Sequence, residues 1–292
     1  MYLNVVLIVG LFFIYLLQVF FSLSITILQN IPTKNCLMGV SEKLKHFHFV
    51  RTCVYAIVGV ITYPGIRLIN TLKIEGTEHL KNLPKNNVLI VSNHQTYFAD
   101  VITFIHILSA VKWRKNNRLG LPYYLLNPFT NLYFVAAEET MKGSLISRFF
   151  ILAGALTIKR TWRAEGKEIS RGLDHNDTIK INKALHTSWV ITFPQGTTKP
   201  FAPGRKGTGY IIKNNQPIVV PVVINGFWRA FNKKGLSFKK KNSILSVRFK
   251  APLQIDYSKP AEEIVEDIMN AIEQSKTFML KGKHHVITDE EK

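Results

Sequence analysis

Residues 88–100 read Val-Leu-Ile-Val-Ser-Asn-His-Gln-Thr-Tyr-Phe-Ala-Asp. An apolar, β-branched run that stops in polar residues and then takes up helical spacing predicts a strand delivering His94 to the rim of a sheet. Reactive groups in open α/β sheets gather beyond the carboxyl ends of strands, so chemistry is expected there. Imidazole takes and returns a proton near neutral pH, and a carboxylate on its far nitrogen fixes the tautomer and stabilises the imidazolium. His94 and Asp100 thus have the make-up of a general base and its orienter. The plainer alternative has His94 capping the following helix and Asp100 in its first turn, facing the helix dipole.

Two later segments end apolar runs in groups suited to anions. Gly154-Ala-Leu-Thr-Ile-Lys-Arg160 reads as a strand closing on consecutive cations. A strand-end arginine is commonly a solvated edge charge, yet its fork of donors suits a phosphate or carboxylate better than the point charge of a lysine. Trp189-Val-Ile-Thr-Phe193 is a further strand and runs into Pro194-Gln-Gly-Thr-Thr-Lys-Pro-Phe-Ala-Pro-Gly-Arg-Lys-Gly207. Glycines, prolines, hydroxyls and cations after a buried strand mark an anion-binding loop.

Asn93-His94-Gln95-Thr96 resembles the first motif of the glycerolipid (lysophosphatidic acid type) acyltransferase family. Three more segments resemble its other motifs in order, over residues 74–252: the stretch from Gly154 to Arg160, the loop from Phe193 with Gln195, Gly196 and Thr197, and the apolar run around Pro221. The resemblance implies an α/β fold with a mixed, mostly parallel sheet flanked by helices. It makes His94 and Asp100 the catalytic dyad, with Asn93, Gln95, Thr96 and Pro221 in support. Arg160 becomes a ligand of the acceptor's phosphate, helped by Lys159 or Arg163. Three departures stand out. Five residues separate His94 from Asp100 where the family has four, and Ala99 holds the usual acid position. Gln195 stands for a glutamate and Thr198 for an arginine that assists phosphate binding. Either Lys199, Arg205 or Lys206 restores the missing cation, or the acceptor is not a glycerol phosphate.

The chain of 292 residues carries 38 basic and 19 acidic side chains, a formal charge of +19, so its field attracts polyanions. Membrane lipids and the acyl donor, acyl-CoA or acyl carrier protein, are the expected partners. No nucleic-acid module accompanies the charge, and no metal or bound cofactor is expected. Residues 5–28 are almost continuously apolar, enough for a bilayer core of ~30 Å. Lys34, Lys43, Lys45 and Arg51 follow this span and no cation precedes it, which puts the rest of the chain on the cytoplasmic side. Cys36 and Cys53 suggest no disulfide framework and fit a reducing compartment.

These features predict an anchor at 1–32, a membrane-associated helical segment at 33–73, an acyltransferase domain at 74–280 and a polar tail at 281–292. Residues 54–66, interrupted by Pro64-Gly65, read either as an interfacial helix or as a core helix. Proline inside the apolar run at 218–224 predicts an edge strand or a bulge. The basic run at 233–250 is either a solvated face or a docking surface for anionic headgroups or the acyl donor. The expected function is membrane-bound transfer of an acyl group to the hydroxyl of 1-acylglycerol 3-phosphate. Glycerol 3-phosphate and an aminolipid hydroxyl are alternative acceptors, and a non-catalytic lipid-binding protein is the alternative of another class.

Overall fold

The computed structural model describes residues 40–141, 145–159, 163–164, 167–168 and 175–279. The apolar span at 5–28, Arg160 and the tail from Lys281 lie outside the described residues.

Helix α1 (Val40–Tyr63) runs on into a single π turn (Pro64–Leu68). Pro64 therefore does not break the helix as its sequence suggests. The turn widens there, and the Ile69 amide donates to the Pro64 carbonyl at 2.8 Å. Among the described residues one helical stretch, His48–Leu68, is long and apolar enough to cross a bilayer, and 33% of it is buried. Its inner side is bolted to the core. Arg51, 2% exposed, donates to the carbonyl of Thr130 at 2.8 Å and lies over the Tyr133 ring, while the Tyr55 hydroxyl donates to Ala153 at 2.9 Å. Its outer side leaves Ile61 65% and Leu68 69% exposed.

The chain continues through β1 (Thr71–Glu75), β2 (Val88–Ser92), α2 (Ala99–Lys112), β3 (Leu132–Ala137), α3 (Leu145–Leu152) and β4 (Ala155–Ile158). A two-stranded antiparallel pair, β5 (Arg163–Ala164) and β6 (Lys167–Glu168), leads to α4 (His175–Thr187). Then follow β7 (Trp189–Thr192), α5 (Lys206–Asn215), β8 (Ile218–Asn225), the short α6 (Phe227–Ala230), β9 (Ile244–Phe249) and α7 (Ala261–Ala271). Seven strands form one sheet in the order β1-β9-β8-β2-β7-β3-β4. Every pairing is parallel except β8 with β9. This is the expected mixed, mostly parallel α/β fold.

The sheet is covered on both faces, which explains the unbroken apolar runs of its inner strands. Val88 and Ile90 face the layer of α1 and α2. Leu89 and Val91 face Ile181 and Leu185 of α4, Ile212 of α5 and Ile264 and Ile268 of α7. Pro221 lies neither at a sheet edge nor in a bulge, because β8 is flanked by β2 and β9. Its carbonyl accepts the Lys250 amide at 2.9 Å just past the last residue of β9. The donor that proline lacks would face the end of that ladder, so its absence costs little.

Candidate active site

Strands β8, β2, β7, β3 and β4 run parallel, so the loops after their carboxyl ends converge on one edge of the sheet. A cavity of about 290 Å³ opens there, lined by His94 after β2, Thr140 and Met141 after β3, Lys159 after β4 and Phe193 to Thr197 (less Gln195) after β7. Val101 and Phe134 line it on the α2 side, and Ile158, Ile181 and Ile211 on the α4 and α5 side. It is thus apolar within and polar at the carboxyl edge, the arrangement expected of a site for an amphipathic ligand.

The histidine loop is built around one carboxylate. Asp100, 1% exposed in the first turn of α2, accepts the His94 ring Nδ1 at 2.8 Å. The same Oδ2 accepts the amides of Gln95 at 2.6 Å and Thr96 at 3.0 Å, and Oδ1 accepts the Thr96 hydroxyl at 2.7 Å. Residues 95–99 wrap this anion, so the extra residue before Asp100 is absorbed in the loop. Buried charge is tolerated only when its lone pairs are satisfied, and these four bonds satisfy them. With Nδ1 committed to Asp100, Nε2 is the ring nitrogen left for proton exchange. Phe193 stacks on the imidazole with centroids 3.9 Å apart and planes 22° apart, which fixes the ring's orientation.

The neighbours of His94 hold the loop in place. Asn93 acts as an extra peptide unit: its Nδ2 donates to the Ile224 carbonyl and its Oδ1 accepts the Ile224 amide, both at 2.8 Å. Gln95 Oε1 accepts the Phe227 amide at 3.0 Å. Asn93 and Gln95 thus tie the end of β2 to the end of β8, which contains Pro221, while Thr96 serves Asp100.

The other expected ligands divide. Gly196, Thr197, Lys159 and Arg205 line the cavity. Gly196, at φ 63°, lets the loop reverse, and its amide donates to Phe193 O at 2.9 Å. That amide is therefore engaged and does not serve as an oxyanion donor in this conformation. Gln195 turns away from the cavity. It is 1% exposed, and its Nε2 donates to Ala202 O at 3.0 Å and to Gln274 Oε1 at 3.3 Å, so it braces the loop against the segment after α7. Lys199 is exposed and off the cavity wall. Lys206 is also off it, paired with Glu262 at 2.9 Å, a contact that raises the ammonium pKa and lowers that of the carboxyl. Of the cations in this loop, the one at the cavity is Arg205. Its amide donates to Pro194 O at 2.8 Å and closes the loop at the entry to α5.

Two lining groups escaped the sequence reading. Tyr97 stands beside His94, with ring centroids 6.5 Å apart. Asp177, in the first turn of α4, accepts the Lys159 amide at 2.8 Å and the Lys180 ammonium at 2.9 Å, so it fixes the end of β4. Nothing in the local sequence separates it from Asp174 and Asn176, either of which suits the start of a helix.

A partly exposed imidazole held by a buried carboxylate at the mouth of an apolar cavity is equipped to deprotonate a hydroxyl. A profile of the Acyltransferase family matches residues 71–225, and the chain belongs to that family. A search of curated proteins found no match. Among solved structures the chain is similar to the 1-acyl-sn-glycerophosphate (LPA) acyltransferase PlsC from Thermotoga maritima. The two share 15% sequence identity with a TM-score of 0.47, over 89% of this chain and 91% of that one.

Proposed function

We propose that this protein moves a fatty acyl group from a thioester donor, coenzyme A or acyl carrier protein, to the hydroxyl of 1-acylglycerol 3-phosphate. The observation that carries the reading is the hydrogen bond between His94 and Asp100 at the mouth of a cavity that is apolar inside and has Lys159 and Arg205 on its wall.

His94 Nε2 accepts the acceptor's hydroxyl proton as that oxygen attacks the thioester carbonyl. Asp100 holds the ring in the required tautomer and stabilises the imidazolium. Collapse of the tetrahedral intermediate breaks the carbon–sulfur bond, and the departing thiolate takes the proton back from the imidazolium. Atoms and charge balance with no enzyme-bound acyl group. Arg205 and Lys159 take the acceptor's phosphate, Arg205 replacing the cation that Thr198 lacks. The apolar walls take the acyl chain, and the membrane supplies the acceptor.

Purified full-length protein, given an acyl thioester and a mixture of hydroxylated lipids, is expected to yield diacylated glycerol phosphate detectable by mass spectrometry. The His94→Ala variant should yield none. Turnover only on acceptors that lack a phosphate would overturn the assignment of acceptor. A burst of acylated protein on mixing with donor alone would overturn direct transfer.

A further inference from the structure

The segment between β8 and β9, residues 226–242, is not used by the mechanism above, yet it rests on the histidine loop. It carries Arg229, Lys233, Lys234, Lys239, Lys240 and Lys241, and the chain has no aspartate or glutamate between Asp177 and Asp256. Among these cations stand exposed apolar side chains, Trp228 at 48%, Leu236 at 45% and Phe238 at 41%. Lysines interleaved with an exposed tryptophan and phenylalanine are a poor solvated face but a good interfacial one. The rings sit at headgroup depth while the long cationic stems reach phosphates.

The segment is a built element rather than a slack loop. Phe231 and Phe238 pair as a β-bridge with their rings stacked. Asn232 Oδ1 accepts the amides of Gly235 and Leu236, and the Lys239 amide donates to Ala230 O at 2.8 Å. It adjoins the end of the long apolar helix, since a Cβ placed on Gly65 would come within 3.0 Å of the Phe238 ring. Exposed Leu68 and Arg67 lie in the same turn as Gly65. The exposed apolar side of α1 therefore ends next to a patch of cations and aromatic rings, as at a membrane surface.

Its other side grips the site. The carbonyls of Lys233 and Lys234 accept the amides of Tyr97 and Phe98 at 3.1 and 3.0 Å. Gly235, at φ 77°, lies so close to the start of α2 that a Cβ would fall 2.6 Å from the Ala99 nitrogen. Lys233 Nζ stands 5.9 Å from the centre of the Tyr97 ring, which lines the cavity.

We propose that residues 226–242 form a docking element for a bilayer surface bearing anionic lipid, and that its seating on the headgroups steadies the histidine loop at the cavity mouth. The docking stands on the loop alone. The coupling to His94 rests on the acyltransferase reading.

Full-length protein is reconstituted in vesicles of brominated phosphatidylcholine with or without brominated phosphatidylglycerol. The contribution of Trp228 to the fluorescence is taken as the difference between the native chain and Trp228→Phe. That contribution should be quenched in the phosphatidylglycerol vesicles and recover as salt is raised. The triple variant Lys239→Gln, Lys240→Gln, Lys241→Gln should weaken the contact roughly a hundredfold, at about fivefold per cation. The salt titration needs only the native chain and Trp228→Phe, a change that keeps an aromatic ring at an exposed position, so a folding defect in the triple lysine variant cannot mask the result. Trp228 emission unquenched in both vesicles would overturn the proposal. So would emission that responds to added polyglutamate and not to lipid, since that assigns the patch to an acidic protein. Quenching with no turnover on any acceptor would count against the acyltransferase reading and leave the docking in place.

Discussion

Asp100 Oδ2 sits 2.8 Å from His94 Nδ1 and at the same time accepts the amides of Gln95 and Thr96. One oxygen therefore sets both the ring's tautomer and the path of the loop that carries it. His94→Ala is expected to lower kcat by a factor of about 10³ or more through loss of the base. Asp100→Asn removes the charge that stabilises the imidazolium, weakens the three bonds now made to Oδ2, and puts an NH2 where Oδ1 accepts the Thr96 hydroxyl, which must turn to accept instead. Activity should fall by about 10²–10⁴, with a lower thermal midpoint as well. Steady-state rates with an acyl thioester, paired with thermal unfolding, check both. Asp100→Asn with native activity would end the assignment.

Asn93→Ala removes a side chain that satisfies both the N–H and the C=O of Ile224, itself 2% exposed. Leaving two buried backbone groups without their partner costs about 1–3 kcal/mol each before any water enters. Stability should drop by roughly 2 kcal/mol or more by denaturant titration. Asn93→Asp keeps an acceptor for the Ile224 amide but has no donor for its carbonyl, so it should recover little. A neutral effect of Asn93→Ala on stability would show that the strand ends are held by other means.

Much of this site was written in local pattern. The run 88–92 is buried on both faces, and its apolar continuity announced the central strand that ends at His94. Strands β1 and β9 were not legible, because each makes sense only beside its partner. In β9 Leu245, Val247 and Phe249 alternate with exposed or half-exposed residues, a period of two hidden inside a basic stretch that reads first as a charge run. The site divided in the same way. His94 and Asp100 were marked by type and spacing, and the structure brings them into contact. Gln195 and Arg205 could not be sorted by sequence, since which of them faces the cavity depends on how the loop closes through the Arg205 amide on Pro194. Likewise, nothing local revealed that Lys233 and Lys234, far along the chain, hold Tyr97 and Phe98.

His106 on α2 predicts a pH dependence of stability that is independent of catalysis. It is fully buried, with Nδ1 at 2.9 Å from the Tyr124 hydroxyl and Nε2 at 3.0 Å from the Thr62 hydroxyl. Burial depresses its pKa to about 3, and the same burial pushes the Tyr124 hydroxyl upward. Below the ordinary imidazole value of 6.5 the unfolded chain binds a proton that the folded one refuses. This residue's contribution is therefore constant above that value and falls as pH drops toward 3, by up to about 1.4 kcal/mol per unit. Unfolding midpoints between pH 7 and pH 4 should decline less steeply in His106→Gln than in the native chain. Equal slopes would refute the account.

The proposed acceptor is tested most directly at Arg205. It is the cation of its loop that reaches the cavity wall, whereas Lys199 points to solvent and Lys206 is held by Glu262. If it binds a phosphate, Arg205→Ala should raise KM for 1-acylglycerol 3-phosphate by roughly 10- to 100-fold, the scale of a charge-assisted hydrogen bond, with a smaller change in kcat. Arg205→Lys should recover part of that loss, because a point charge keeps the attraction without the fork. Lys199→Ala and Lys206→Ala should stay within about twofold, as exposed charges screened by solvent do. The discriminating measurement is the ratio of kcat/KM on a phosphorylated acceptor to that on an uncharged hydroxy lipid, taken for the native enzyme and for Arg205→Ala. Collapse of the ratio assigns Arg205 to the phosphate. An unchanged ratio means that this loop reads some other part of the acceptor, and the glycerol phosphate assignment falls with it.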